Sequence, residues 1–305
     1  MNANKTLNAL DIDCGLVTDL LVRFIASQTR KTGMKKAVLG LSGGIDSSLV
    51  AFLCAAALGG ENVLGVRMPY SSSSAESLEH AEQVAKSAGI AMCTHDVTAM
   101  CDAFLASSIV HQEGSGTFFQ RGAGENASGV SMDSLSISNS RGNVMARSRM
   151  ITLYHLSAAT SSMVVGTSNK TELLLGYGTL WGDLACGINP VGDLYKHQVR
   201  QLSKHLGVPR AVIDKKPSAD LFPGQTDEGD LGFSYEEIDG ALFRIIDCRE
   251  DPKDLVSSGS FPAPLINFCL KKITSMQFKR QMPLLAMISF RTINQSFNYP
   301  RDWSL

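Results

Sequence analysis

The stretch Ala37-Val38-Leu39-Gly40-Leu41-Ser42-Gly43-Gly44-Ile45-Asp46-Ser47-Ser48 decides how this chain is read. Residues 37–41 are apolar or glycine with no polar alternation, the pattern of a strand buried on both faces. A Ser-Gly-Gly turn follows, and from about 46 to 58 the pattern is helical. A buried strand that turns through glycines into a helix gathers backbone N–H groups and the positive end of a helix dipole around one anion-sized space. The turn is therefore a candidate phosphate cradle. It lacks the Gly-Lys-Ser/Thr of a Walker A loop and the GxGxxG of a dinucleotide fingerprint. For a lone Gly-Gly pair, an ordinary tight turn capped by Asp46 or Ser47 is the plainer reading. The complete Ser-Gly-Gly-x-Asp-Ser pattern behind a strand favours the cradle.

Outward from this turn, short apolar runs at 63–68, 91–97 and 163–166 repeat the strand pattern, each separated from the next by a helix-like segment. Such alternation predicts an α/β fold: right-handed βαβ units in a doubly wound parallel sheet, helices on both faces, ligands at the carboxyl ends of the strands. Residues 1–305 read as a single domain with a C-terminal helical extension. Leu16, Val17, Leu20, Leu21, Phe24 and Ile25 recur at helical spacing and give an apolar stripe that packs on a core or on a partner subunit.

Composition excludes several classes. The 305 residues carry 28 Lys+Arg against 29 Asp+Glu, a net charge of −1, so there is no global excess of cations to attract nucleic acid or an anionic membrane. No run approaches the roughly 18 apolar residues of a membrane span, and Met1-Asn2-Ala3-Asn4-Lys5 does not open like a signal peptide. The expectation is a cytoplasmic protein with neither nucleic-acid nor membrane partners. The seven cysteines form no CxxC set, which argues against structural zinc or a disulfide framework and for small buried hydrophobes. Neutrality is an average: residues 211–256 hold twelve acids against five bases, whereas the 270–305 tail holds six bases and one acid. Residues 111–142, with six glycines and seven serines, read as a flexible insertion.

Asp46 needs an explanation of its own, because a carboxylate beside phosphates is repelled unless a divalent cation lies between them. Mg²⁺ bridging Asp46 and phosphate oxygens resolves the conflict. At this point the sequence resembles the PP-loop ATP pyrophosphatases, whose fold is adenine nucleotide alpha hydrolase-like and which cleave ATP between its α and β phosphates. Three later stretches, Asn143-Val144-Met145-Ala146-Arg147-Ser148-Arg149-Met150, Gly166-Thr167-Ser168-Asn169-Lys170-Thr171-Glu172 and Gly176-Tyr177-Gly178-Thr179-Leu180-Trp181-Gly182-Asp183, narrow the resemblance. With Gly192-Asp193-Leu194-Tyr195-Lys196 and Pro217-Ser218-Ala219-Asp220-Leu221 they are similar to the ordered signature of the NAD synthetases, from about residue 16 to the C-terminus.

The resemblance implies ATP-dependent amidation of deamido-NAD (nicotinate adenine dinucleotide) through an acyl-adenylate, releasing AMP and pyrophosphate, with Mg²⁺ as cofactor. It carries over residue by residue. Gly40, Leu41, Ser42, Gly43, Gly44, Ile45, Asp46 and Ser47 match the ATP loop, Thr167 and Ser218 match further ATP contacts, and Lys196 matches a phosphate contact. Asp46 and Glu172 match the metal ligands. Asp183 matches the ammonia site, where a carboxylate takes a proton from ammonium. Arg147 matches a deamido-NAD contact reached from the neighbouring subunit of a homodimer with a shared active site. Leu180, Gly187, Phe278 and Lys279 match further deamido-NAD positions. Many family members carry Lys at position 180, Asp at 187 and His at 278, so the pocket is expected to be a variant one. Residues 215–232 match a mobile loop that closes over the bound substrates. With the phosphate loop beginning at Ser42, no glutaminase domain is expected before it, and free ammonia is the expected nitrogen donor. Two alternatives remain: another PP-loop adenylating amidotransferase, and a non-catalytic adenine-nucleotide-binding protein.

Overall fold

The computed structural model describes residues 9–107, 134–218, 220, 224–281 and 283–288. The opening stretch forms β1 (Lys36–Gly40) and α2 (Ile45–Leu58), preceded by α1 (Cys14–Lys31). Next come β2 (Val63–Arg67), α3 (Ala75–Ala88), β3 (Ala91–Thr94), α4 (Thr98–Ser107), α5 (Ser134–Thr160) and β4 (Ser162–Val164). Every pairing is parallel and the strand order is β3-β2-β1-β4. The central β1 has β2 on one side and β4 on the other, so the chain leaves it in both directions and opens a crevice at its carboxyl end.

Alternate residues of β1 enter different cores. Ala37 and Leu39 pack with Ile25, Leu49 and Leu53 on one face of the sheet. Val38 joins Val66 and Val164 on the other, against Leu153 and Leu156 of α5. The sheet is thus doubly wound, as expected.

The second half of the chain is helical: α6 (Lys170–Leu175), α7 (Lys196–His205), α8 (Arg210–Asp214), α9 (Asp227–Leu231), α10 (Tyr235–Leu242), α11 (Pro252–Ser257) and α12 (Ala263–Ser275). Helix α7 lays Val199 and Leu202 on the sheet core. Helices α6 and α9 to α12 close a separate apolar cluster around Leu175, Ile238, Leu242, Leu265 and Cys269. Among the described residues, α6 and α9 to α12 thus form the expected C-terminal extension, while α7 and α8 pack on the sheet. Among the described residues no helix is long and apolar enough to cross a membrane.

Four local expectations change. The 111–142 insertion ends early, because α5 starts at Ser134, inside it. Serine and asparagine weaken a helix, but Val144, Met145, Leu153 and Leu156 pack along α5 and propagate it backwards. Residues 108–133 lie outside the described residues. Strand β3 stops at Thr94 and not at 97, since the Asp96 carboxylate accepts the Thr98 amide (2.7 Å) at the start of α4. Helix α9 interrupts the 215–232 loop, and positions 219 and 221–223 lie outside the description. The 270–305 tail is helical through Ser275, then a 3-10 turn (Gln277–Arg280), and 289–305 are not described.

Candidate active site

The cradle is built by sterics. Gly43 has φ +74, and a Cβ there would collide with the Ser77 carbonyl of α3. Gly44 caps α2 without any side-chain bond, so the first amides of the helix have no internal partner and remain free for an anion. Ser47 accepts the Ser42 amide (3.3 Å) and donates to the Gly44 carbonyl (3.1 Å), which fixes the loop in place.

Behind the cradle, three chains of sequence converge on one charge cluster. Lys196, at the first turn of α7, places its ammonium 2.6 Å from Asp46 and 3.2 Å from Glu172. Asn169 caps α6, donating to Asp46 (2.9 Å) while its backbone amide donates to Glu172 (3.2 Å). The Lys196 ammonium also lies 4.8 Å from the centre of the Tyr235 ring. With Lys196 only 2% exposed, burial alone would lower its pKa, yet Asp46, Glu172 and Asp227 together raise it. Burial, opposed by Lys196 and reinforced by Asp46 and Asp227, pushes Glu172 up to about 8. Asp227 of α9, itself raised by burial, accepts hydroxyl bonds from Tyr235 (2.9 Å) and Tyr177 (3.1 Å).

The cluster is held from beneath by Asp239 of α10. Its carboxylate accepts the Thr171 hydroxyl (2.5 Å) and the His197 amide (2.8 Å), and Thr171 in turn accepts the Lys196 amide (3.2 Å). A carboxylate at a helix N-terminus satisfies free amides and the dipole together. The Lys196 backbone is therefore set by two other helices.

Asp46, Glu172, Lys196 and Asp227 line a cavity of about 910 Å³ with the cradle on one wall. Of the residues expected at the site, Gly40, Leu41, Ser42, Gly44, Ile45, Asp46 and Ser47 line it. Thr167, Glu172, Asp183, Lys196, Ser218 and Lys279 line it too. Asp183 accepts the Thr179 amide (2.8 Å) and stays open to the cavity; crowding by protein atoms raises its pKa against the Thr179 bonds that lower it. Lys279 spends its ammonium on the carbonyls of Gly176 (2.8 Å) and Gly178 (2.7 Å), holding the 176–183 loop.

Five expected residues do not line this cavity: Gly43, Arg147, Leu180, Gly187 and Phe278. Gly43 shapes the cradle from behind. Arg147 donates to the Leu180 carbonyl (3.2 Å) beside a second cavity of about 700 Å³, walled by Met100, Phe104, Val144 and Ile151. Gly187 runs against β4, its amide on the Val164 carbonyl (2.9 Å), where a Cβ would strike the Met163 sulfur. Phe278 is 58% exposed. The sequence reading passed over Arg149, Asn169, Asp227, Tyr235 and Asp239. Asn169 and Arg149 lay inside stretches already singled out, whereas the other three come from helices distant in sequence and carried no local signal.

Two carboxylates fit a hard divalent cation. Asp46 and Glu172 are brought to one ammonium and both line the cavity, where with Asp227 three acids face one lysine. No group of three or more His, Cys, Asp or Glu is gathered for a metal among the described residues, so the remaining ligands would be water and phosphate.

The family model for NAD synthase matches residues 17–283. The chain belongs to the NAD synthase family. Relatives described as NH(3)-dependent NAD(+) synthetase include that of Chlorobium phaeovibrioides, 47% identical over 96% of this chain and 97% of its own. That of Trichlorobacter lovleyi is 46% identical over 97% and 99%. Among solved structures, the NH3-dependent NAD synthetase of Campylobacter jejuni in complex with the nitrate ion superposes with TM-score 0.70 at 33% identity, covering 91% of this chain and all of that one. The NMN synthetase of Francisella tularensis superposes with TM-score 0.73 at 28% identity, covering 90% and 99%.

Proposed function

We propose that the chain is an ammonia-dependent NAD synthetase in which each of the two chemical steps has its own side of the 910 Å³ cavity. In the first step the carboxylate of deamido-NAD attacks the α-phosphate of ATP, expelling pyrophosphate. The free amides of the cradle receive phosphate oxygens, and Lys196 offers a fixed positive charge to the leaving pyrophosphate. Asp46 and Glu172 would hold Mg²⁺, which supplies charge neutralisation between carboxylates and phosphates when bound.

In the second step ammonia attacks the acyl carbon and AMP leaves. Asp183 faces the cavity with a raised pKa. It can therefore attract ammonium, accept its proton and direct the free amine at the carbonyl. Ser218, Asp220, Gln225 and Asp227 of the 215–232 segment line the cavity, and Asp220 accepts the amide of Ser74, the residue that caps α3 (3.2 Å). Docking of that segment excludes water from an adenylate that would otherwise hydrolyse.

The observation that carries this reading is the convergence of the cradle, the Asp46–Lys196–Glu172 cluster and Asp183 on one cavity. Arg147 faces away from it, beside an exposed apolar surface, which supports a homodimer in which Arg147 reaches the neighbouring protomer's ligand. The test is turnover with ATP and Mg²⁺, combining ammonium or glutamine with deamido-NAD or with nicotinate mononucleotide. NAD and AMP formed from ammonium and deamido-NAD are expected. Absence of both would overturn the proposal, and preference for the mononucleotide would reassign the acceptor.

A further inference from the structure

Arg147 and Arg149 lie two residues apart on α5, so at 3.6 residues per turn their side chains leave the helix about 200° apart. Arg147 lies beside the apolar second cavity, whereas Arg149 enters the main one. The Arg149 Nε donates to the Met68 carbonyl (3.0 Å), just beyond the carboxyl end of β2 and next to the cradle strand. This bond uses one of the guanidinium's five donors. Among the described residues no carboxylate pairs with it; Asp220 and Asp183 act on it only through space, and burial lowers its pKa. An incompletely neutralised arginine that shares a cavity with a phosphate cradle is arranged for a planar, bidentate anion.

We propose that Arg149 binds an oxyanion of a bound substrate, a phosphate or the nicotinate carboxylate, through its terminal N–H groups. The proposal rests on the NAD synthetase reading and adds to it a substrate contact on the helix that also carries Arg147. It has a consequence that a packing role lacks. A half-buried, undercompensated cation does not stabilise the ligand-free protein, so its removal leaves the free protein's melting temperature unchanged or higher.

The experiment uses the full chain with Arg149→Gln and Arg149→Lys. Calorimetric titration is performed with ATP plus Mg²⁺, with deamido-NAD and with NAD, alongside thermal melts of the free proteins. The Gln variant is expected to bind at least one ligand about tenfold or more weakly, the cost of a lost charge-assisted bond, with the melting temperature maintained. The Lys variant recovers part of the loss. Weaker ATP, or deamido-NAD and NAD weakened alike, identifies a phosphate as the partner. Weaker deamido-NAD with unchanged NAD, which has a carboxamide in place of the carboxylate, identifies the nicotinate group. Native affinity for all three ligands overturns the proposal. So does a lower melting temperature with equal losses for every ligand in both variants, the mark of a structural arginine. A native chain that makes no NAD from deamido-NAD refutes the underlying function instead, and the ATP titration still reads Arg149.

Discussion

The Asp46–Glu172–Lys196 cluster and the Arg147–Leu180 corner show two ways of holding charge. In the cluster every partner is locked: Lys196 is 2% exposed, bonded to two carboxylates, stacked on Tyr235 and fixed at its backbone through Thr171 and Asp239. At the corner Arg147 makes one long bond to a carbonyl on the protein surface. The first arrangement is complete within one chain and suits electrostatics that must be in place before the reaction. The second gains meaning only when something else meets it.

Removing the locked cation should have the largest effect. Lys196→Met is expected to lower kcat by about 100-fold or more and, by leaving two half-buried carboxylates without their cation, to lower stability. Steady-state kinetics and a denaturant melt measure both. A variant that keeps near-native kcat would dissolve the contrast between cluster and corner. Next, Asp183→Asn is expected to slow amidation about 100-fold or more while ATP binding stays within about twofold. Equal losses in both would make Asp183 a nucleotide-binding or structural residue.

The corner gives a smaller effect. Arg147→Ala is expected to raise KM for deamido-NAD about tenfold with an unchanged melting temperature. In mixed dimers of Arg147→Ala and Asp46→Ala chains, the one site with an intact Asp46 should recover the native KM for deamido-NAD. Confirmed heterodimers whose activity keeps the raised KM would remove the shared site.

The support beneath the cluster provides a pH test. Burial pushes Asp239 up to about 6, against hydrogen bonds from Thr171 and His197. The folded protein therefore holds this proton more tightly than the unfolded chain, whose carboxyl is near 3.8. The proton's contribution to stability is complete below about pH 4 and is lost as pH rises to about 6. That loss is of the order of 3 kcal/mol. Asp239→Asn should remove this part of the slope. An identical slope in both proteins would contradict the shift.

How far the sequence could see follows the same division. The cradle and Asp46 were marked by the strand-turn-helix pattern itself, whereas Glu172 and Lys196 were reached only through the resemblance of their stretches to the family's. The helix from Ser134 to Asn143 was not, since its serines carry a loop's composition and only packing further along α5 overrides it. Asp239, Tyr235 and Asp227 were invisible for a different reason. They reach the site from α9 and α10, and tertiary packing of the helical extension alone brings them beneath Lys196. Gly187, matched to a substrate position by resemblance alone, also lies so close to Met163 of β4 that a Cβ would strike its sulfur.

The most direct test of the account follows the carboxylate oxygen. Deamido-NAD labelled with ¹⁸O in its nicotinate carboxylate is turned over with ATP, Mg²⁺ and ammonium, and the AMP is analysed by mass spectrometry. Attack on the α-phosphate followed by displacement with ammonia leaves one carboxylate oxygen in the phosphate of each AMP. AMP that carries no label while NAD is formed would contradict the acyl-adenylate, and with it the roles assigned to the two sides of the cavity.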